Sequence, residues 1–200
     1  PANPSGITVK GGTFKYTAPS STYPLTMGDG GRLDVSGGTN VIAWSNWFCS
    51  LMKFAGGMTH VFSGDATWLF SSTTSGGVYV DGTLEFTDNA SIVRDTSTLI
   101  NLIFAPQTAG GLCELRFTDH AKIDPSGTMV FYLGCPGSAM SATEVSARAV
   151  FDSEATSAPR GIWAGIERTS VSEIVMKRGR LDVGSYGINL GTTWEGYWCQ

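Results

Sequence analysis

The sequence predicts an all-β chain assembled from repeated units, and two observations carry that prediction. The first is an internal echo: Leu84–Ile92, L-E-F-T-D-N-A-S-I, returns thirty-one residues later as Leu115–Ile123, L-R-F-T-D-H-A-K-I, with six of nine positions identical. The second is composition, because Gly makes up 26 of 200 residues while charged residues are only 15%. Scarce long charged side chains disfavour helical bundles, and abundant Gly favours strands joined by tight turns.

A looser form of the echo runs through most of the chain. An apolar residue is followed by a turn segment rich in Gly, Asp, Asn or Ser, then by Ala or Gly, and usually by another apolar residue. The leading apolar residues are Met27, Phe62, Phe86, Phe117, Phe151 and Met176. The first and last copies share Gly-Arg-Leu-Asp-Val, at residues 31–35 and 179–183. Irregular periods of roughly 20–50 residues are typical of solenoids and other repeat arrays.

Each unit is interpreted as a short strand, a turn, a second strand, a loop of variable length and a third, more apolar strand. The third strands are expected at residues 40–44, 78–80, 99–104, 129–133, 162–166 and 188–190. This order predicts a single-domain parallel β-helix (solenoid) of about six irregular coils, with Phe62, Phe86, Phe117 and Phe151 stacked in one column. A β-sandwich or jelly roll is the rival fold; it explains the composition but not the echo.

The solenoid is expected to span residues 25–190, with different segments at its two ends. Residues 1–24 are rich in Pro and are interpreted as an N-terminal arm or cap. Residues 191–200 are aromatic and carry no repeat. This C-terminal segment is expected either to cover the last coil or to dock into a partner, because an open strand edge needs cover.

Charge and sequence motifs exclude several classes of function. The formal net charge is −4 and no basic block is present, so nucleic acid is not an expected partner. No apolar run approaches the roughly 20 residues of a membrane-spanning helix. The N-terminus shows no signal-peptide pattern, so the chain is expected to be made in a cytosol. No phosphate-binding glycine loop is present, and no cofactor is expected.

The four cysteines are Cys49, Cys113, Cys135 and Cys199, and no pair of them forms a C-x-x-C motif. No metal site is expected from their spacing or from the two histidines. Buried free thiols are the expected state of a cytosolic product, and the three possible pairings remain open.

Candidate catalytic groups are few, and no catalytic residue is predicted. Asp88 and Asp119 are expected to stack in adjacent coils, near the separation of about 5–5.5 Å that retaining glycosidases use. Both occupy turn positions, where Asp is favoured for backbone reasons alone, so a turn role is preferred. His120 is expected at an outward turn position and His60 just before a strand, neither with a recognisable nucleophile.

Aromatic side chains give the strongest remaining signal. Residues 40–52 are more apolar and aromatic than one coil requires, and enrichment in aromatics and Met is typical of interface centres. Core packing and a platform for stacking sugars are the alternative interpretations. The interface candidates are Trp44, Trp47, Phe48, Met52, Trp163, Trp194, Tyr197 and Trp198.

The L-x-F-T-D-x-A-x-I turn, with Gly-Gly-Arg-Leu-Asp-Val, resembles the coils of parallel β-solenoids on bacterial and viral surfaces. Pectin-degrading enzymes, autotransporter passengers, and phage fibre or decoration proteins share such coils. The resemblance covers residues 25–190, is architectural and carries over no catalytic residues.

Within that group, low charge, aromatic-rich coils and the missing signal peptide favour a non-catalytic bacteriophage virion protein. A capsid decoration (cement) protein is the first expectation, and a fibre or receptor-binding module the second. A carbohydrate-binding or polysaccharide-cleaving protein is the alternative from another class. The expected partners are other copies of the chain, as a trimer or another ring, and a major capsid or other virion protein. The expected location is the virion, assembled in the host cytoplasm, with no membrane contact.

Overall fold

The structure, a computed structural model, describes residues 6–18, 25–27, 32–44, 49–71, 76–95, 100–106, 110–124, 128–134, 145–164 and 170–190. Over these ranges the chain forms strands and no helix, which confirms the predicted all-β class. No helix that could cross a membrane is found in this part of the chain. The strands are β1 (Gly6–Val9), β2 (Thr13–Ala18), β3 (Leu25–Met27), β4 (Arg32–Val35), β5 (Thr39–Trp44), β6 (Cys49–Phe62), β7 (Thr67–Ser71), β8 (Gly76–Phe86), β9 (Ser91–Arg94), β10 (Ile100–Ala105), β11 (Leu112–Asp119), β12 (Lys122–Ile123), β13 (Met129–Leu133), β14 (Val145–Ser157), β15 (Gly161–Ala164), β16 (Ser170–Leu181) and β17 (Gly187–Leu190).

Alternation of side chains explains why these segments are strands. In β7 the side chains of Trp68 and Phe70 are buried, while those of Thr67, Leu69 and Ser71 are half-buried on the opposite face. A period of two places one set of residues in the core and the other on the outer face.

Every strand pairing among the described residues is parallel, and the strands form three ladders. Ladder A contains β1, β4, the second halves of β6 and β8, β11, β14 and β16. Ladder B is the five-stranded sheet of β2, β5, β7, β9 and β12. Ladder C contains β3, the first halves of β6 and β8, β10, β13, β15 and β17. Because β6 and β8 belong to both ladders, A and C form one twelve-stranded sheet.

Like side chains stack along ladder A. Phe62 pairs with Phe86, Phe86 with Phe117, and Phe117 with Phe151. Their ring centroids are 4.9, 5.1 and 5.1 Å apart, and the ring planes are within 14° of parallel. The predicted phenylalanine column is confirmed. Its spacing is close to the roughly 4.8 Å between strands, so each ring covers the face of the next.

The corner between ladders A and B also follows the predicted pattern. The N–H of Ala90 donates to the carbonyl of Thr87 at 3.1 Å, and that of Ala121 donates to Thr118 at 2.9 Å. Both alanines are fully buried, because the chain bends inward at this point. Asp88 and Asp119 adopt left-handed backbone angles, with φ of 54° and 52°. Asp tolerates this conformation better than most residues, which confirms that both occupy turn positions.

The first repeat is aligned differently from the sequence prediction. Met27 pairs with Phe54 in ladder C, so it does not lead a copy in ladder A. Val35 holds that place, since it pairs with Phe62. The segment expected as the first third strand is β5, which pairs with β7 in ladder B. The prediction was wrong here because an apolar residue followed by glycines marks more than one corner of the repeat.

The remaining third strands are confirmed as members of ladder C. Strands β8, β10, β13, β15 and β17 follow one another there in register. At the other end, β1 and β2 lie within the segment interpreted as an arm or cap. They pair in parallel with β4 and β5 and so extend ladders A and B. Residues 191–200 lie outside the described part of the chain.

The main core is one continuous cluster to which side chains of all three ladders contribute. Its largest fully buried side chains include Trp68, Phe54, Phe62, Phe86 and Phe104. A second, smaller cluster lies on the other face of ladder C, where Tyr79, Ile103 and Tyr132 are buried with Val130 and Ala105. Ladder C is therefore apolar on both faces, as the near-continuous apolar runs of its strands predict.

The phenylalanine column yields a test of the packing. Replacing Phe117 by Ala removes a fully buried ring between two stacked neighbours, so we expect a loss of about 3–5 kcal/mol in the free energy of unfolding. Met176 ends the same column and is 44% exposed, so Met176→Ala is the matched control and should cost less than about 1 kcal/mol. Urea unfolding measures both. Equal losses for the two variants would contradict the packing described here.

Candidate functional site

The outer face of ladder A carries a groove of about 610 Å³. It crosses strands β8, β11, β14 and β16. Its residues alternate with the core side chains of the same strands, so they point away from the phenylalanine column. The lining residues are Glu85, Glu114, Arg116, Thr118, Arg148, Val150, Asp152, Glu173, Val175 and Lys177.

Glu114 is the most buried charged group of the groove. Its side chain is only 2% exposed, while those of its ion-pair partners Arg116 and Arg148 are 41% and 39% exposed. A carboxylate at such depth needs compensating charge, and the two guanidiniums supply it from the same strand and from the next. The three side chains hold one another in place and leave the outer faces of both guanidiniums open to solvent.

The rest of the groove is a mixed surface of charges and aliphatic groups. Val150 and Val175 occupy neighbouring register positions and form an apolar floor. Asp152 stands on one side, with its carboxylate 2.5 Å from Arg178 and 3.8 Å from Lys177. None of the described residues that line the groove is aromatic, so they offer no stacking platform for a sugar ring. The arrangement is suited to binding a polar or charged ligand through ion pairs.

Asp88 and Asp119 act as links between successive turns. The carboxylate of Asp88 accepts the N–H of Gly64 at 2.8 Å. That of Asp119 accepts the hydroxyl of Thr87 at 2.5 Å and the N–H of Asp88 at 3.4 Å. The Thr87 bond is the main reason that the pKa of Asp119 lies below its ordinary value, with the Asp88 N–H adding to it. Each carboxylate therefore accepts hydrogen bonds from the preceding turn of the chain.

His60 lies inside a strand, so the expectation that it precedes one was wrong. It belongs to β6, faces the core, and occupies the register position of Leu84. Its Nδ1 accepts the N–H of Leu33 at 3.1 Å, and its ring lies 4.4 Å from that of Phe54. Burial lowers the pKa of His60 to about 4, so the imidazole is neutral at pH 7.

His120 is at the outward turn position that the repeat predicted. It replaces Asn89, is 60% exposed, and has its Nδ1 3.9 Å from a carboxylate oxygen of Glu154. Both side chains are exposed to solvent, so this surface contact contributes little to stability.

The described residues contain no group of three or more His, Cys, Asp or Glu side chains that could hold a metal ion. Cys113 is a buried free thiol, and burial raises its pKa, so this thiol is an unreactive core group. The side chain of Cys49, and both Cys135 and Cys199, lie outside the described part of the chain.

Of the predicted interface residues, only Trp163 has a described side chain. It is half-buried on the outer face of ladder C, with its ring 5.1 Å from that of Tyr132. Trp44 and Met52 lie on β5 and β6, but their side chains lie outside the described part of the structure. The same holds for the whole of Trp47, Phe48, Trp194, Tyr197 and Trp198.

An exposed apolar surface that the sequence did not predict lies on the last described strands of ladders A and C. Val171, Ile188 and Leu190 are 64%, 48% and 66% exposed. Leu190 follows Leu133 and Ala164 in register, and these two are almost completely buried. Ile188 likewise follows Ile162, and Met176 follows Phe151. These core positions become exposed because no further described strand covers them, whereas Val171 follows Ser146 on the outer face of ladder A. We call Met176, Ile188 and Leu190 the open end.

Comparison with protein-family models, with curated proteins and with solved structures found no match to this chain. The assignment of function therefore depends on the geometry described above.

The turn role of Asp119 predicts a graded response to substitution. Asp119→Ala removes both the acceptor and the tolerance for a left-handed backbone, so it should destabilise the protein more than Asp119→Asn, which keeps both. The wild type should be more stable than the Asn variant at pH values above the ordinary Asp pKa of about 3.9. This difference in stability should disappear as the pH falls through the lowered pKa of Asp119. Urea midpoints at several pH values measure this, and an Ala variant as stable as the wild type would refute the turn role.

His60 predicts a second pH dependence. An unfolded chain protonates this histidine near pH 6.5, whereas the folded chain does so only near pH 4, so stability should fall across that window. His60→Asn keeps an acceptor for Leu33 and cannot titrate. Between pH 7 and pH 4, this variant should lose less free energy of unfolding than the wild type, by an amount on the order of 2 kcal/mol.

The matched control for His60 is His120→Asn, which restores the residue of the neighbouring repeat at an exposed position. This variant should retain the fall in stability that the buried His60 produces. Identical pH profiles for the His60 variant and the wild type would show that the buried imidazole does not produce the decline.

Proposed function

We propose that this chain is a parallel β-solenoid that acts as a non-catalytic structural protein of a viral particle, most directly as a capsid decoration protein. Three features support the solenoid: the parallel ladders, the in-register columns and the recurring corner. The observation that carries the functional proposal is the open end, where core positions of the repeat are exposed on strands whose outer edges no described strand pairs.

The open end offers two kinds of contact to another protein. Apolar side chains of Met176, Ile188 and Leu190 give area that is favourable to bury, at about 25 cal/mol per Å². The outer edges of β16 and β17 also carry backbone groups that no described strand pairs, and such edges accept a strand from a partner. A surface of this kind suits permanent attachment to a protein shell.

The acidic groups support a non-catalytic role. Asp88 and Asp119, the closest approach to a carboxylate pair in the sequence, are each bonded to the preceding turn. Glu114 is held between two arginines. In the proposed role, the protein binds its shell at many equivalent positions and stabilises it by mass action. The proposed partners are further copies of the chain and a major capsid protein.

The test uses shells assembled from the major capsid protein of the virus that encodes the chain. Wild-type protein should co-sediment with these shells and raise their melting temperature. Ile188→Asp and Leu190→Asp place charges in the open end, and together they should weaken binding by roughly 100-fold or more, corresponding to about 3 kcal/mol. Glu85→Lys, a change in the groove on β8 and away from the open end, is the control and should bind like the wild type. A wild-type protein that binds no shell would refute the proposal.

A second candidate function is favoured by the groove beside Glu114. Its open guanidiniums and mixed charges support recognition of a charged carbohydrate, as a receptor-binding module or polysaccharide-active protein would require. Incubation with acidic and neutral polysaccharides distinguishes the two functions. If binding to a polysaccharide is abolished by Arg148→Ala and unaffected by Leu190→Asp, the carbohydrate function replaces the cement role.

A further inference from the structure

On the outer face of ladder B, the central side chains that the structure describes are uncharged. Two columns cross it in register. The first contains Thr39, Thr67 and Ser91, and the second contains Val41, Leu69 and Val93. The valines and Leu69 are only half-buried, although their chain neighbours Trp68 and Ile92 are completely enclosed. An aliphatic column of this kind on an outer sheet face is the composition expected at the centre of a protein interface.

The two ends of this aliphatic column carry opposite charges. Lys15 precedes Val41 in register and is exposed. Asp124 follows Val93, since its N–H donates to the carbonyl of Ile92 at 2.8 Å. The column therefore reads, in order along the ladder, Lys15, Val41, Leu69, Val93 and Asp124. It is apolar and nearly symmetric about Leu69, with a cation at one end and an anion at the other.

We infer that two copies of the chain associate through this face, around a twofold axis that lies in the interface parallel to β7. Rotation about this axis places β2 of one copy opposite β12 of the other, and β5 opposite β9. Residues keep their position along the strand direction. The same rotation places Leu69 against Leu69, Val41 against Val93, and each Lys15 against Asp124 of the partner subunit. Lys122 meets Thr13 of the partner subunit, so these two columns bring no like charges together. One self-complementary patch is what an isologous dimer requires.

The size of the face sets the expected affinity. Five strands at about 4.8 Å, each contributing about five residues at 3.3 Å, give a footprint of roughly 400 Å² per copy. A standard stable interface needs about 800 Å² per partner. The dimer should therefore form reversibly in the micromolar range or above, and the opposite charges should make it weaker at high salt.

This face supplies a surface for the self-association that the proposed function includes. The dimer rests on the proposed function only for its biological use. The association is measured without any shell, and its residues differ from those of the open end. If the chain dimerises but does not bind shells, only the cement role is rejected. If the chain binds shells but does not dimerise, only the dimer is rejected.

The experiment is sedimentation velocity of the full chain between about 10 µM and 1 mM, the range set by the small footprint. The wild-type mass should rise with concentration towards twice that of the monomer. Leu69→Glu places two carboxylates on the twofold axis and should keep the protein monomeric. Lys15→Glu and Asp124→Lys should each weaken the dimer by roughly tenfold or more, because each sets like charges against one another.

The double variant Lys15→Glu/Asp124→Lys restores opposite charges and should recover the wild-type association. This recovery separates a direct contact from a folding defect, and Glu173→Lys controls for a change in net charge. A wild-type chain that stays monomeric up to 1 mM would overturn the inference. So would a double variant that is weaker than both single variants, or association that Leu69→Glu leaves unchanged.

Discussion

Stacking of like side chains between neighbouring parallel strands is the interaction on which the rest of this structure depends. A single repeat contributes three short strands and cannot enclose a core by itself. Its Phe, Leu and Trp side chains are removed from water only by the equivalent side chains of the repeats on either side. The phenylalanine column is the clearest case, because its parallel rings are fixed at the spacing of the strands themselves. Register is therefore strongly specified: a slip of one residue would turn the core side chains outward.

That constraint also explains where surfaces become available for binding. Core positions are buried only while another strand follows, so the last strands expose Ile188 and Leu190 even though these residues continue a buried pattern. The outward residues of each strand are free to vary, and they differ between ladders. Ladder A carries the ion pairs around Glu114, whereas ladder B carries hydroxyl and aliphatic columns. The side chains that vary between repeats thus lie on the faces and at the open end, while the side chains at the corners form hydrogen bonds between successive turns.

Much of the repeat could be predicted from the sequence, because the residues that stack are the residues that recur. The echo between Leu84–Ile92 and Leu115–Ile123 located the strand, the turn and the buried Ala correctly. The first repeat was misaligned because Met27 is followed by glycines that resemble the corner of the other copies. His60 was misplaced because a polar residue in an apolar column carries no local signal of burial; only its register with Leu84 reveals it.

The candidate surfaces were harder to predict. The groove had a detectable signal, since charged residues alternate with core residues in β8, β11, β14 and β16, but deciding which charges meet required the register. The exposure of the open end could not be predicted, because the sequence does not show which of the described strands is the last in each ladder. These surfaces support the proposal that the molecule acts by adhesion through its open end and its faces.

Amide hydrogen exchange of the protein, measured free and bound to capsid shells, tests that account most directly. The account predicts slower exchange on binding along β16 and β17, where backbone groups at the open end gain partners. Protection confined to the groove strands β11 and β14, with the exchange of β16 and β17 unchanged, would contradict it.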